Sequence, residues 1–178
     1  MAMSTPDPPQ TLAQKAHHRQ LRLFGIMKPQ IPPPSRLWLV SQSFMHAGDL
    51  AYDSIQAGKN SPNICFPCLF CYARSIELAL KVILIVNEVP EKTILKLGHH
   101  LSRLADEVKK FISLQDLNIE APDVKFIQSF SEDYANKWYE YPETLWGKKP
   151  QLEKLRGLAH KVVDSTKDYW KRTWVPRF

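Results

Sequence analysis

The sequence predicts an all-α protein, an antiparallel up-and-down bundle of about five helices. Three observations predict it. Past residue 35, apolar residues recur at three- and four-residue steps in every long segment. No segment alternates apolar and polar residues with the two-residue period of a half-buried strand. The chain has 178 residues, 44% hydrophobic and 24% charged, which suits one globular domain carrying a tail.

Residues 1–34 read as the tail, proline-rich and flexible, because seven of the fourteen prolines fall there. Thr11–Met27 could form a short basic helix, which the following Pro29 and the run Pro32-Pro33-Pro34 would end. Three consecutive prolines favour extended polyproline backbone, so residues 28–34 read as a stiff spacer. His17 and His18 are adjacent, would diverge on a helix, and have no evident third ligand.

The bundle is expected over residues 35–178. Ser35 is a good N-cap for a first helix over about 36–57, with Leu37, Val40, Phe44, Ala47, Ala51 and Ile55 on one face. Gly58 supplies its stop. A second helix carries Pro67 in its first turn and runs to Asn87, ended by Val89-Pro90. It is apolar nearly all round, which places it at the centre of the bundle.

A short helix over Glu91–Leu97 breaks at Gly98, and the next segment sets Leu101, Leu104, Val108 and Phe111 on one face. Leu114–Ala121 reads as loop. Pro122-Asp123 opens a helix with the stripe Phe126, Ile127, Phe130, Tyr134 and Trp138. Pro142, Gly147 and Pro150 interrupt it. The last helix, Pro150 to about Thr173, turns Leu152, Leu155, Ala159, Val162, Thr166 and Tyr169 inward.

Net charge is +6, and residues 145–178 alone hold nine Lys/Arg against three acids. Such a segment either attracts phosphate-bearing partners or forms a solvated helix face. Three cysteines, all within Cys65–Cys71, do not make a secreted disulfide framework. The longest apolar stretch, Ile64–Val86, is broken by Arg74, Glu77 and Lys81, so no membrane span is expected. A cytoplasmic location is the matching expectation.

Four constellations could carry chemistry. Cys65-x-x-Cys68-x-x-Cys71 has metal-ligand spacing, yet lacks a fourth ligand and is interleaved with Phe66, Leu69 and Phe70. It reads as core, so neither a metal nor another cofactor is expected. His99 and His100 follow Gly98 at a helix start, where an imidazole either caps or joins a binding site. Arg156 and His160 share a helix face, so a guanidinium and an imidazole could meet one phosphate; a solvated basic face is the alternative. Near the C-terminus, Trp170, Trp174 and Phe178 could stack on bases beside Lys171, Arg172 and Arg177, or dock the last helix onto its bundle. Glu77 and Lys81 add a further question, because two charges on an apolar helix need partners or a wet cleft.

The run Ala73–Val89, followed by Lys96–Val108, resembles the HEPN superfamily of small helical-bundle proteins. Glu77-Leu78-Ala79-Leu80-Lys81, the apolar continuation and the step Gly98-His99-His100-Leu101-x-x-Leu104 carry the likeness, and Tyr139-Glu140-Tyr141-Pro142 looks like the aromatic-proline turn of many relatives. The resemblance covers roughly residues 37–170. It implies a commonly dimeric bundle that is either a metal-independent ribonuclease of toxin–antitoxin or defence type, or a non-catalytic binding module. It also implies a nucleotidyltransferase-type partner for some members.

The ribonuclease members carry an Arg and a His separated by four to six intervening residues near the start of the last long helix. Here only three residues separate Arg156 from His160, and Gly157 stands where a polar residue is usual. The expectation is therefore a homodimeric module binding nucleotide, RNA or a partner protein, with Glu77, Lys81, His99, His100 and Tyr141 as binding residues. The alternative is an endoribonuclease in which Arg156 stabilises the phosphate and His160 moves the proton.

Overall fold

The computed structural model describes residues 32–58, 65–136 and 151–174. Among them lie six α-helices, one 3-10 turn and no strand. They are α1 (Pro34–Gln56), α2 (Cys65–Val86), α3 (Glu91–Leu97), α4 (Leu101–Val108), α5 (Ala121–Ala135) and α6 (Leu152–Thr173), with the 3-10 turn at Leu114–Leu117. The basic segment before residue 28, Trp138 and the Tyr139–Pro142 turn lie outside the described residues. So do Gly147, Pro150, Arg177 and Phe178.

α1 begins two residues earlier than Ser35 as its cap would have it. Pro33 is extended and Pro34 takes the first helical position, where its fixed φ suits the helix and its missing N–H costs nothing. Ser35 is therefore an exposed first-turn residue rather than the cap, and Pro34 belongs to the helix rather than to a spacer. The inward face is also rotated from the expected one. Leu37 is buried as predicted, but Trp38, Ser41, Met45 and Gly48 complete the face, while Val40 and Ala47 point outward.

Two buried polar bonds explain the rotation. The Trp38 indole donates to Val163 O at 3.0 Å, and the Ser41 hydroxyl donates to Ser75 O at 2.8 Å. A residue count by hydrophobicity alone gives Trp and Ser no such weight. Gly48 completes the face because the Tyr72 ring lies against it; a Cβ there would sit 2.7 Å from that ring. α1 ends where expected, with Gly58 at φ +63° behind it.

α2 is the centre. Fifteen of its residues are buried, from Phe66 to Val86, and it packs against α1, α3, α4 and α6. Pro67 sits in its first turn, where the absent N–H has no intrahelical partner to lose. Cys68 is fully buried and its thiol donates weakly to Gly48 O at 3.3 Å; burial pushes that thiol up to about 12. Among the described residues no group of His, Cys, Asp and Glu is placed to hold a metal ion.

α4 buries Leu101, Leu104 and Val108 but stops there, so Phe111 falls beyond the helix and is exposed. The expected loop after it contains the 3-10 turn, which buries Leu114 and Leu117, with Ile119 beneath it. Glu120 and Asp123 form a reciprocal capping box that starts α5, and Phe126, Ile127, Phe130 and Tyr134 line its buried face. α6 buries Leu155, Leu158, Ala159, Val162, Val163 and Thr166. Trp170 packs on Trp38, ring centroids 6.3 Å apart, a contact that docks the end of the last helix onto α1.

Candidate functional site

Two polar centres, each built around one carboxylate, flank α2. The first grows from spacing within α2 itself. Arg74, Glu77 and Lys81 stand at three- and four-residue steps, so they share a face. That face meets α4 and α5. Glu77 is fully buried, and donors converge on it: Arg74 Nη1 at 2.8 Å to both oxygens, Lys81 Nζ at 2.6 Å and Tyr134 Oη at 2.5 Å.

His99 closes this centre from the turn before α4. Gly98 adopts φ +60°, ψ −128°, a backbone that only glycine takes without strain, and so redirects the chain after α3. His99 Nδ1 then lies 3.0 Å from Glu77 Oε2 and 3.2 Å from Arg74 Nη1. One ring nitrogen cannot donate to the carboxylate and accept from the guanidinium together. The ionised carboxylate demands the donor, so Nδ1 carries the proton. Burial alone would raise the Glu77 carboxyl, but the His99 hydrogen bond and the charges of Lys81 and Arg74 hold it at about 2.

His100 does not join this centre. It occupies the N-cap position of α4 without a side-chain capping bond, and its Nδ1 is 3.6 Å from Glu132, beyond hydrogen-bond range. The two adjacent histidines thus have different surroundings. Tyr141 lies outside the described residues.

The second centre joins three elements distant in sequence. Asp49 on α1, Tyr72 on α2, and Arg156 with His160 on α6 meet at one carboxylate oxygen. Asp49 Oδ1 accepts from Tyr72 Oη at 2.9 Å and Arg156 Nε at 2.9 Å, and lies 3.0 Å from His160 Nε2. The Arg156 guanidinium also lies over the Tyr52 ring, 4.7 Å from its centroid. Burial pushes the Asp49 carboxyl up, but the bonds from His160, Arg156 and Tyr72 outweigh it and leave it below its ordinary value.

The structure therefore brings Arg156 and His160 together, as their spacing predicts, but on a carboxylate, Asp49, that no motif in the sequence marks. Asp49 sits mid-helix among small and apolar neighbours, and nothing local marks its partners more than a hundred residues away. In the sequence Tyr134 falls within an apolar stripe. Its hydroxyl gave no signal because hydrophobic periodicity does not register the polar end of a tyrosine.

The other cations of α6 are mostly matched within the chain. Lys161 pairs with Asp123 at 3.2 Å, Lys154 lies over Phe126 and Lys167 over Trp38. A shallow cleft of about 660 Å³, lined by Phe111, Asp116, Tyr169 and Arg172 among others, contains no residue of either centre. No described helix is long and apolar enough to cross a membrane. Comparison with protein-family models, curated proteins and solved structures gives no match to this chain.

Proposed function

We propose that this chain is a non-catalytic HEPN-like binding module, an antiparallel bundle working as a cytoplasmic homodimer that engages nucleotide, RNA or a partner protein. The observation that carries the reading is the shared hold of Asp49 on Arg156 and His160. A ribonuclease needs a guanidinium turned to the scissile phosphate and an imidazole able to move a proton. Here Arg156 Nε and His160 Nε2 both engage a carboxylate of their own chain. A phosphate arriving there would bring its charge against Asp49 and would have to displace those contacts.

A ribonuclease reading has one observation in its favour. A carboxylate beside an imidazole orients the ring and supports its positive form, as in hydrolases that use such a pair. Asp49 and His160 are only partly buried, so a substrate could reach them, and a dimer would place two such pairs in one cleft. The test is cleavage of end-labelled single-stranded RNA with chelator present, at a concentration where sedimentation shows a dimer. Native protein and His160→Ala are both expected to leave the RNA intact. Cleavage by the native protein that disappears in His160→Ala would give the function to the ribonuclease.

A further inference from the structure

The Glu77 centre holds more positive charge than its carboxylate needs. Two permanent cations and an imidazole surround one acid. Glu77 already accepts from Tyr134, His99, Arg74 and Lys81, which fills the four or so sites a carboxylate offers. A guanidinium brings five donors and an ammonium three, so Arg74 and Lys81 retain donor capacity that Glu77 cannot absorb. Leaving such capacity in a half-buried place is unfavourable unless water or an anion meets it.

Exposure shows the direction. Glu77 is 0% exposed, whereas the side chains of Arg74, Lys81 and His99 are 28%, 15% and 43% exposed. The acid stands behind and the cations in front. An incoming anion meets the guanidinium, the ammonium and the imidazole edge while Glu77 stays shielded from it. Glu132 faces His100 instead and does not neutralise this group.

We propose that Arg74, Lys81 and His99 form a binding site for a phosphate group, with the guanidinium and the ammonium as its donors, the ring as its edge, and the buried Glu77 as the anchor that holds the three side chains in place. A tetrahedral oxyanion presents several oxygens to donors arriving from different directions, which a planar carboxylate does less well. The site deepens the binding-module reading by naming the chemistry of the ligand. It uses neither Arg156 nor His160, so RNA cleavage and phosphate capture can each fail without the other.

The test uses the full chain and follows thermal unfolding at constant ionic strength. Inorganic phosphate, adenosine monophosphate and a 5′-phosphorylated RNA oligonucleotide are titrated, with chloride and the unphosphorylated oligonucleotide as controls. A saturable rise in Tm is expected with the phosphorylated probes and not with chloride, since a ligand that binds only the folded state stabilises it. Similar midpoints for the three probes would assign the phosphate group alone, and a lower midpoint for the nucleotide or the RNA would assign that source. Lys81→Met is expected to weaken binding at least tenfold, and Lys81→Arg to restore most of it. Should Lys81→Met not fold, His99→Ala, altered at the most exposed of the three, is expected to weaken binding severalfold. No saturable rise with any probe, or undiminished binding in a folded Lys81→Met or, failing that, in His99→Ala, overturns the proposal.

Discussion

The centres on Glu77 and Asp49 differ in how the chain assembles them. Glu77 draws two partners from its own helix turn and two from the adjoining α4 and α5 region, and it is sealed from water. Asp49 draws its partners from α2 and α6, and its side chain remains 20% exposed, those of Arg156 and His160 37%. At Glu77 the donors offset the desolvation cost of a carboxylate that water does not reach, so solvent does not replace a donor lost from it. In the wetter centre solvent can replace what is lost. Similar chemistry therefore carries different weight: one centre is bound up with the fold, while the other can change without unfolding it.

The sharpest way to break that comparison is Glu77→Gln. The amide keeps the shape and one acceptor, but leaves Arg74 and Lys81 without a counter-charge inside the bundle. A loss of about 4 kcal/mol is expected, within the range for breaking a buried ion pair. Urea unfolding of native protein and variant measures it. A loss below about 1 kcal/mol would mean that water already reaches the centre.

Acid should reproduce most of that loss in the native chain. The Glu77 carboxyl lies at about 2 in the folded protein against an ordinary 4.5. As the pH falls, the unfolded chain takes up the proton first, so unfolding is favoured. The stabilisation is complete above about pH 4.5 and is lost as the pH approaches 2. At about 1.4 kcal/mol per unit, the change amounts to about 3 kcal/mol. Unfolding curves from pH 6 to pH 2 should bring native protein and Glu77→Gln towards the same stability. A constant gap between them would show that the carboxylate does not carry the difference.

The helices were largely legible in the sequence, and the two centres only in part. α2 announces itself through length and an apolar run, and Glu77 and Lys81 stand out on it, whereas Arg74 registers in the sequence only as a break in that run. The rotation of α1 was not visible, because Trp38 and Ser41 are fixed by bonds to Val163 and Ser75 on other helices. For the same reason Asp49 stayed hidden. Its neighbours in sequence say nothing of Arg156 and His160, whose separation from it is closed only by packing of α1 against α6. Periodicity reports which face turns inward, and tertiary hydrogen bonds decide which polar residue that face accommodates.

Asp49→Asn tests the wetter centre and carries the smallest expected effect. The amide oxygen still accepts from Tyr72, while Arg156 and His160 lose their charged partner. With those groups more than a third exposed, solvent screens most of the loss, and about 1 kcal/mol is expected. Salt then separates the centres more clearly than size does. At 1 M salt the screening length falls to about 3 Å, so the cost of Asp49→Asn should shrink to near zero while that of Glu77→Gln persists. Paired urea titrations at low and high salt make the measurement. An equal salt response of the two variants would mean that both carboxylates face the same solvent, and the division between a sealed centre and an open one would fall.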